Sequence, residues 1–245
     1  MIGFGTYKLN KDEAYNMTLH ALKIGYRFFD TAEIYRNEKS VQKAFNDCGI
    51  PRDQIFLTTK LSVKDENKIE KSLKDRLKIF PKIDLVLLHW ASYDHIAGWK
   101  KLIELQKIFS DKIKYIGMSN ISKNILLDIL RIDIHPYAIQ NEINPYCNDT
   151  EFFKICKNEN IKLIAHSCFS FGNALVDQDI IELSNKVGYT PVQILLRWAK
   201  EHSDIILTRC NDINFLKENY DILQDINIPY IDIKTEKKIR LYYFK

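Results

Sequence analysis

Three polar residues close apolar runs in the first half of this sequence. Asp30 ends Phe28-Phe29-Asp30, Lys60 ends Phe56-Leu57-Thr58-Thr59-Lys60, and His89 ends Leu85-Val86-Leu87-Leu88-His89. Tyr35 follows in the loop after Asp30. Together they suit the delivery of a proton to an oxygen that gains negative charge, as when a carbonyl accepts hydride. A free tyrosine, with a pKa of about 10, is a weak acid for that task. A nearby lysine cation favours phenolate, an aspartate keeps the buried lysine charged and placed, and a neutral histidine can hydrogen-bond the substrate oxygen. Each residue alone also has an ordinary structural reading; their shared place at strand ends is what draws attention.

Such residues must be held by a scaffold that gathers strand ends, and the chain's pattern supplies one. Short β-type runs alternate with longer helical segments throughout, as in a parallel sheet with crossover helices. Eight strands are expected: Phe4–Tyr7, Phe28–Thr31, Ile55–Leu61, Leu85–His89, Tyr115–Ser119, Ala138–Glu142, Leu163–Ser167 and Ile205–Thr208. Several are apolar almost throughout, as strands covered on both faces require. Helical periodicity runs through Asp12–Ile24 and Lys68–Ile79, with Gly25 and Gly49 as closing glycines and Thr190-Pro191 as a helix start. The fold class is α/β, a (β/α)8 TIM barrel, and residues 1–245 are read as one domain, since about 250 residues make one such barrel. Active sites of that architecture lie at the C-terminal ends of the strands, where Asp30, Lys60 and His89 fall. The segment Ile226–Lys245 is a poor strand and a modest helix, expected to pack outside the barrel or over one end.

Composition narrows the functional classes. The 36 basic and 32 acidic residues are dispersed and leave a net charge of only +4, so no nucleic-acid-binding arm is expected. The longest apolar run, near Ile83–Trp90, is broken by Asp84 and falls well short of the roughly twenty residues of a membrane span. No secretory leader is evident. Five cysteines without a C-x-x-C pair argue against a disulfide framework or a zinc site and for a reducing, cytoplasmic location. No carboxylate and histidine cluster for a metal, and no late phosphate loop, supports another class of barrel enzyme.

Longer motifs carry a resemblance. Gly3-Phe4-Gly5-Thr6-Tyr7, the run from Gly25 to Glu38, Thr58-Thr59-Lys60-Leu61 and Asp84-Leu85-Val86-Leu87-Leu88-His89-Trp90 resemble the opening half of the aldo-keto reductases. Ile116-Gly117-Met118-Ser119-Asn120, Gln140-Asn141-Glu142 with Pro145, the run from Thr190 to Trp198, and Lys217-Glu218-Asn219 continue it in order. The resemblance implies a monomeric NADPH-dependent reductase of aldehydes and ketones, NADH being the alternative cofactor, with a small carbonyl compound as its partner. It implies that Asp30, Tyr35, Lys60 and His89 form a catalytic tetrad in which Tyr35 is the general acid. It assigns Ser119, Asn120 and Gln140 to the nicotinamide carboxamide, Glu218 and Asn219 to adenine, and Arg209 to the ribose 2′-phosphate, a fit for a guanidinium fork. Gly5, Thr6, His166 and Ser167 complete the cofactor set, and Tyr7 and Trp90, with Trp99 or Tyr146, shape the substrate pocket. No G-x-G-x-x-G follows a strand, so a Rossmann-type site finds no support.

The chain departs from the family in places. His166 stands where an aromatic residue, usually tyrosine, stacks on nicotinamide. Cys168 and Phe169–Phe171 precede Gly172 where proline and glycine are usual, which implies a changed phosphate-covering loop. Thr208-Arg209-Cys210 replaces Pro-Lys-Ser, and Phe215 matches a second arginine, which weakens the preference for NADPH. The loops look trimmed, so a shallow pocket with broad acceptance is expected. These departures keep open an alternative function, a nicotinamide-cofactor-binding module with little or no turnover that senses redox state for a partner.

Overall fold

The computed structural model describes residues 1–62, 65–90, 94–225 and 227–233. Eight parallel strands close a barrel in sequence order: β1 (Ile2–Gly5), β2 (Phe28–Asp30), β3 (Phe56–Leu61), β4 (Ile83–Leu88), β5 (Ile113–Ser119), β6 (Ala138–Glu142), β7 (Lys162–His166) and β8 (Ile205–Thr208), with β8 pairing back to β1. The connections are α1 (Lys11–Ile24), α2 (Glu38–Asp47), α3 (Ile69–Ile79), α4 (His95–Ile108), α5 (Lys123–Ile129) and α6 (Thr150–Asn158), then the pair α7 (Gln178–Val187) and α8 (Pro191–His202), with α9 (Ile213–Gln224) after the last strand. The first strand lies two residues earlier than Phe4–Tyr7, because Thr6 and Tyr7 turn toward α1 and Ile2 pairs with Ile206.

Helix boundaries follow their local chemistry. Asn10 caps α1 by accepting from the Asp12 and Glu13 amides, while the Glu13 carboxylate accepts from the Asn10 amide. Gly25 ends α1 at φ +125°, where a Cβ would lie 2.5 Å from the Tyr220 hydroxyl. Thr190 and Gln193 form the same reciprocal cap on α8, with Pro191 in its first turn.

Two apolar layers result. Large side chains between the sheet and the helices form the outer core, and Phe28, Leu85, Leu87, Ala138, Ile164, Ile205 and Leu207 fill the barrel. That filling needs Gly117: a Cβ there would sit 2.1 Å from the Ala138 carbonyl oxygen on the neighbouring strand. Side chains alternate across a strand. Asp30 therefore shares a face with Phe28, His89 with Leu87 and Gln140 with Ala138, so the inward row that is apolar below turns polar at the C-terminal mouth.

Of the C-terminal segment, residues 227–233 lie on the outside of α8, where Arg197 Nε donates to the Ile228 carbonyl and Tyr230 packs near His202. Residues 226 and 234–245 fall outside the described residues. No helix among the described residues is long and apolar enough to cross a membrane.

Candidate active site

At the mouth, the Lys60 ammonium lies between two oxygens. Nζ donates to Asp30 Oδ1 at 2.5 Å and to the Tyr35 hydroxyl at 3.2 Å, with the Thr31 carbonyl at 3.3 Å. Lys60 and Asp30 are buried, at 1% and 3% exposure, so this is an ion pair withheld from water. Burial opposes the charge on Lys60, but Asp30 and Tyr35 outweigh it and raise its pKa. Burial pushes the Asp30 carboxyl up, against the pull of Lys60 and of Gln140, whose amide donates to Asp30 Oδ2 at 2.6 Å. Sequence reasoning expects Lys60 to lower the Tyr35 pKa. Lys60 does pull downward, but burial is the larger effect, and the phenol lies above its ordinary value and keeps its proton at neutral pH.

His89 is buried, stacks on Trp90 at 3.8 Å and crosses the Tyr35 ring edge to face at 5.9 Å. Burial first, then Lys60 and His166, push its pKa down to about 2, so the ring is neutral. Its Nδ1 lies 2.8 Å from the Ser62 hydroxyl, which fixes the ring plane.

The loop bearing Tyr35 is anchored by residues that sequence reasoning missed. Asn37, almost fully buried, donates to the Thr6 and Leu9 carbonyls at 2.8 and 2.9 Å and so ties the β1–α1 loop to the loop after β2. Glu33 accepts from the Ser72 hydroxyl at 2.7 Å and the Ser62 amide at 3.1 Å. Arg76 on α3 pairs with both Glu33 and Glu38, and Thr59 donates to Glu38 at 2.6 Å. Arg76 is remote in sequence from its partners, so no local pattern could have signalled this brace.

A cavity of about 420 Å³ opens over these groups, lined by Gly5, Tyr7, Lys8, Asp30, Ile34, Tyr35, His89, Trp90, Asn120, Gln140, His166, Ser167, Cys168, Phe169, Phe171, Gly172, Leu175, Leu207, Thr208 and Arg209. It brings together Tyr35, His89 and Asp30 with much of the expected cofactor set. Lys60 lies beneath it. Thr6 and Ser119 are buried behind the wall; Ser119 Oγ donates to the Gln140 carbonyl and Thr6 Oγ1 to the Asp30 carbonyl. Asn219 is buried and donates to Cys210 Sγ, and Glu218 is exposed on α9, so neither lines the mouth. Trp99 and Tyr146 do not line it either. Trp99 is fully buried on α4 and donates to the Ile134 carbonyl, and Tyr146 is buried in the outer core. Lys8, Ile34 and Leu175 are lining residues that the sequence does not single out, because their loops carry no period, while Phe171 belongs to the loop expected to be changed.

The ring of His166 has a definite tautomer. Asn120 Nδ2 donates to the His89 carbonyl at 3.0 Å, which turns Asn120 Oδ1 toward His166 Nε2 at 2.9 Å. Nε2 must then carry the hydrogen, leaving Nδ1 to accept from the Ser167 hydroxyl at 3.0 Å. Burial, then Lys60, push its pKa down to about 3. Both bonds lie at the ring edge, and His166 lines the cavity. The loop beyond folds as a 3-10 turn over Ser170–Leu175, with Ser170, Phe171 and Gly172 at positive φ and Phe171 56% exposed.

The cavity suits a nicotinamide cofactor on three counts. Asn120 and Gln140 bring amide side chains to the wall, His166 brings an imidazole, and Lys8 and Arg209 bring basic side chains to the β1 and β8 side. Gly5 lines that side as well, and a Cβ there would meet the Thr208 carbonyl at an ordinary contact distance of 3.6 Å.

Comparison with known proteins finds relatives over nearly the whole chain. The family model described as Aldo/keto reductase family matches residues 1–239. Aldehyde reductase YPR1 of Saccharomyces cerevisiae is 30% identical over 271 residues, covering 96% of this chain and 85% of the yeast protein. Glyoxal reductase of Bacillus subtilis is 32% identical over 230 residues, covering 90% and 82%. The crystal structure of a variant of Gox0644 in complex with NADPH superposes with a TM-score of 0.81 at 28% identity, over 94% of this chain and 84% of that one.

Proposed function

The chain belongs to the aldo/keto reductase family, and on that footing we propose that it is an NADPH-dependent reductase of small aldehydes and ketones in which Tyr35 is the proton donor. The observation that carries this reading is the Lys60 ammonium held between Asp30 and Tyr35 on the floor of the mouth. NADPH, when bound, supplies the hydride. Asn120, Gln140, His166, Ser167 and Gly5 are the residues to hold its nicotinamide end, with Ser119 and Thr6 supporting them from behind. Arg209 is the residue for the 2′-phosphate, and Glu218 and Asn219 are assigned to the adenine.

The Tyr35 hydroxyl gives its proton to the carbonyl oxygen as that oxygen gains charge, and the departing negative charge on Tyr35 Oη is met by the Lys60 ammonium at 3.2 Å. Because burial keeps the phenol protonated beforehand, the acid is loaded at neutral pH. Neutral His89 orients the same oxygen with a hydrogen bond and adds no cation beside Lys60. Tyr7, Ile34 and Trp90 wall the substrate side with apolar surface, which favours compact aldehydes and discriminates weakly among them. A monomer is taken as the working unit on the family resemblance alone.

The test is cofactor oxidation, followed by absorbance, with a panel of small aliphatic, dicarbonyl and aromatic aldehydes, each with NADPH and with NADH. Turnover across the panel, faster with NADPH, is expected. Tight NADPH binding without turnover of any substrate would replace this reading with that of a cofactor-holding module.

A further inference from the structure

A second cavity, of about 240 Å³, opens beside the mouth between the β5–α5 and β6–α6 loops. Asn120 lines both cavities. Its walls are mainly apolar, from Ile121, Phe152 and Phe153, and into them project Glu142, at the end of β6, and Asp149, the cap of α6.

Its electrostatics are those of an anionic site. Glu142 is half-buried, and its one hydrogen-bond partner among the described residues is Asn144, whose amide donates to Oε1 at 2.9 Å. No cation pairs with it among the described residues. Lys123, the basic side chain in the lining, is engaged by Glu151 at 2.6 Å. Asp149 is committed to the Glu151 and Phe152 amides. Glu142, Asp149 and Glu151 against Lys123 leave two negative charges around the opening. Burial raises the Glu142 carboxyl pKa, and burial, with Glu142 and Asp149 nearby, pushes the Cys147 thiol up to about 12. A half-buried carboxylate without a counter-ion is costly, and a cationic ligand would relieve it.

We infer that this cavity is a binding site for a small organic cation, an ammonium or guanidinium on an apolar body, with the cationic head on Glu142 and the body against Phe152 and Phe153. Among the described residues no group of three or more His, Cys, Asp or Glu is placed to hold a metal ion. The volume, below the roughly 300–1,000 Å³ of drug-sized pockets, suits a ligand of about one ring. Ligand and cofactor would then sit on opposite sides of Asn120, which gives the site a direct mechanical contact with His89 and His166.

The test is a ligand-observed NMR titration of the full chain at pH 7 with benzylammonium, and with benzyl alcohol as its neutral counterpart. Saturable binding of benzylammonium is expected, weakened about tenfold or more by Glu142→Gln, a loss in the range of one charge-assisted hydrogen bond. Glu142→Gln keeps an acceptor for Asn144, and an unchanged melting curve verifies its fold. Benzyl alcohol should bind more weakly and be indifferent to Glu142→Gln, while Phe153→Ala should weaken both ligands. Absence of saturable binding, equal affinity for the alcohol, or an unchanged affinity in Glu142→Gln would each overturn the assignment.

Discussion

Replacing Asp30 by asparagine removes the charge that faces Lys60 and leaves the shape of the site nearly intact. At 2.5 Å the pair attracts by about 7 kcal/mol for an effective dielectric of about 20, and most of that offsets the desolvation of two ions. What the variant loses is therefore the cost of an uncompensated buried ammonium, about 3–5 kcal/mol. Asparagine adds a further conflict, since its amide group would face either Lys60 Nζ or Gln140 Nε2, both donors. In a chain of 245 residues such a loss lowers Tm by about 6–20 °C, at about 2–4 °C per kcal/mol. Asp30 raises the Lys60 pKa, so its stabilisation is present below the ordinary lysine pKa and fades as pH rises through the elevated one. The deficit of the variant should accordingly shrink at high pH, where Lys60 can go neutral. Guanidinium denaturation of wild type, Asp30→Asn, Lys60→Met and the double variant measures it, with the double variant expected to recover at least half of the loss. A loss of under about 1 kcal/mol in Asp30→Asn, or a double variant no more stable than Asp30→Asn, would refute the buried ion-pair reasoning.

Three further outcomes are expected. Gly117→Ala forces a Cβ to 2.1 Å from the Ala138 carbonyl, a clash with neighbouring backbone that should cost several kcal/mol and lower Tm by about 10 °C or abolish soluble expression. Burial lowers the pKa of His89 to about 2 and of His166 to about 3. The unfolded chain then binds protons below pH of about 6.5 that the native chain refuses, and stability falls as pH drops, by about 1.4 kcal/mol per pH unit for each histidine. Denaturation of His166→Phe between pH 4 and 5.5 should show a shallower slope by that amount. Arg209→Ala should raise the Kd for NADPH at least tenfold and leave NADH binding almost unchanged, as measured by fluorescence titration; equal losses for both would remove Arg209 from the 2′-phosphate.

The barrel was legible because strands buried on both faces read as short apolar runs, and Ala138–Glu142 and Ile205–Thr208 fall where the pattern puts them. The polar residue that closes such a run was a sound guide, since alternation sets Asp30 and His89 above Phe28 and Leu87. The first strand was read two residues late because Thr6 and Tyr7 are good strand formers overruled by the turn into α1. Trp99 was out of reach for another reason: a large aromatic suits a pocket or a helix–sheet interface equally, and only packing decides. The Arg76 brace, the Asn37 tie and the tautomer of His166 depend on contacts between residues far apart in the chain, which no local period encodes. The direction of the Tyr35 pKa was misjudged because charge can be read from sequence and burial depth cannot.

The measurement that bears most directly on the assignment of Tyr35 is a comparison of wild type and Tyr35→Phe for both steady-state NADPH oxidation, with whichever aldehyde is turned over fastest, and the Kd for NADPH. If Tyr35 is the acid, its loss should lower kcat by about 10²–10⁴-fold while the Kd for NADPH moves less than about twofold, because the role proposed for the phenol hydroxyl, which Lys60 meets at 3.2 Å, is toward the substrate oxygen. A Tyr35→Phe enzyme that keeps kcat within about threefold of wild type would contradict the account, and the proton donor would have to be sought elsewhere.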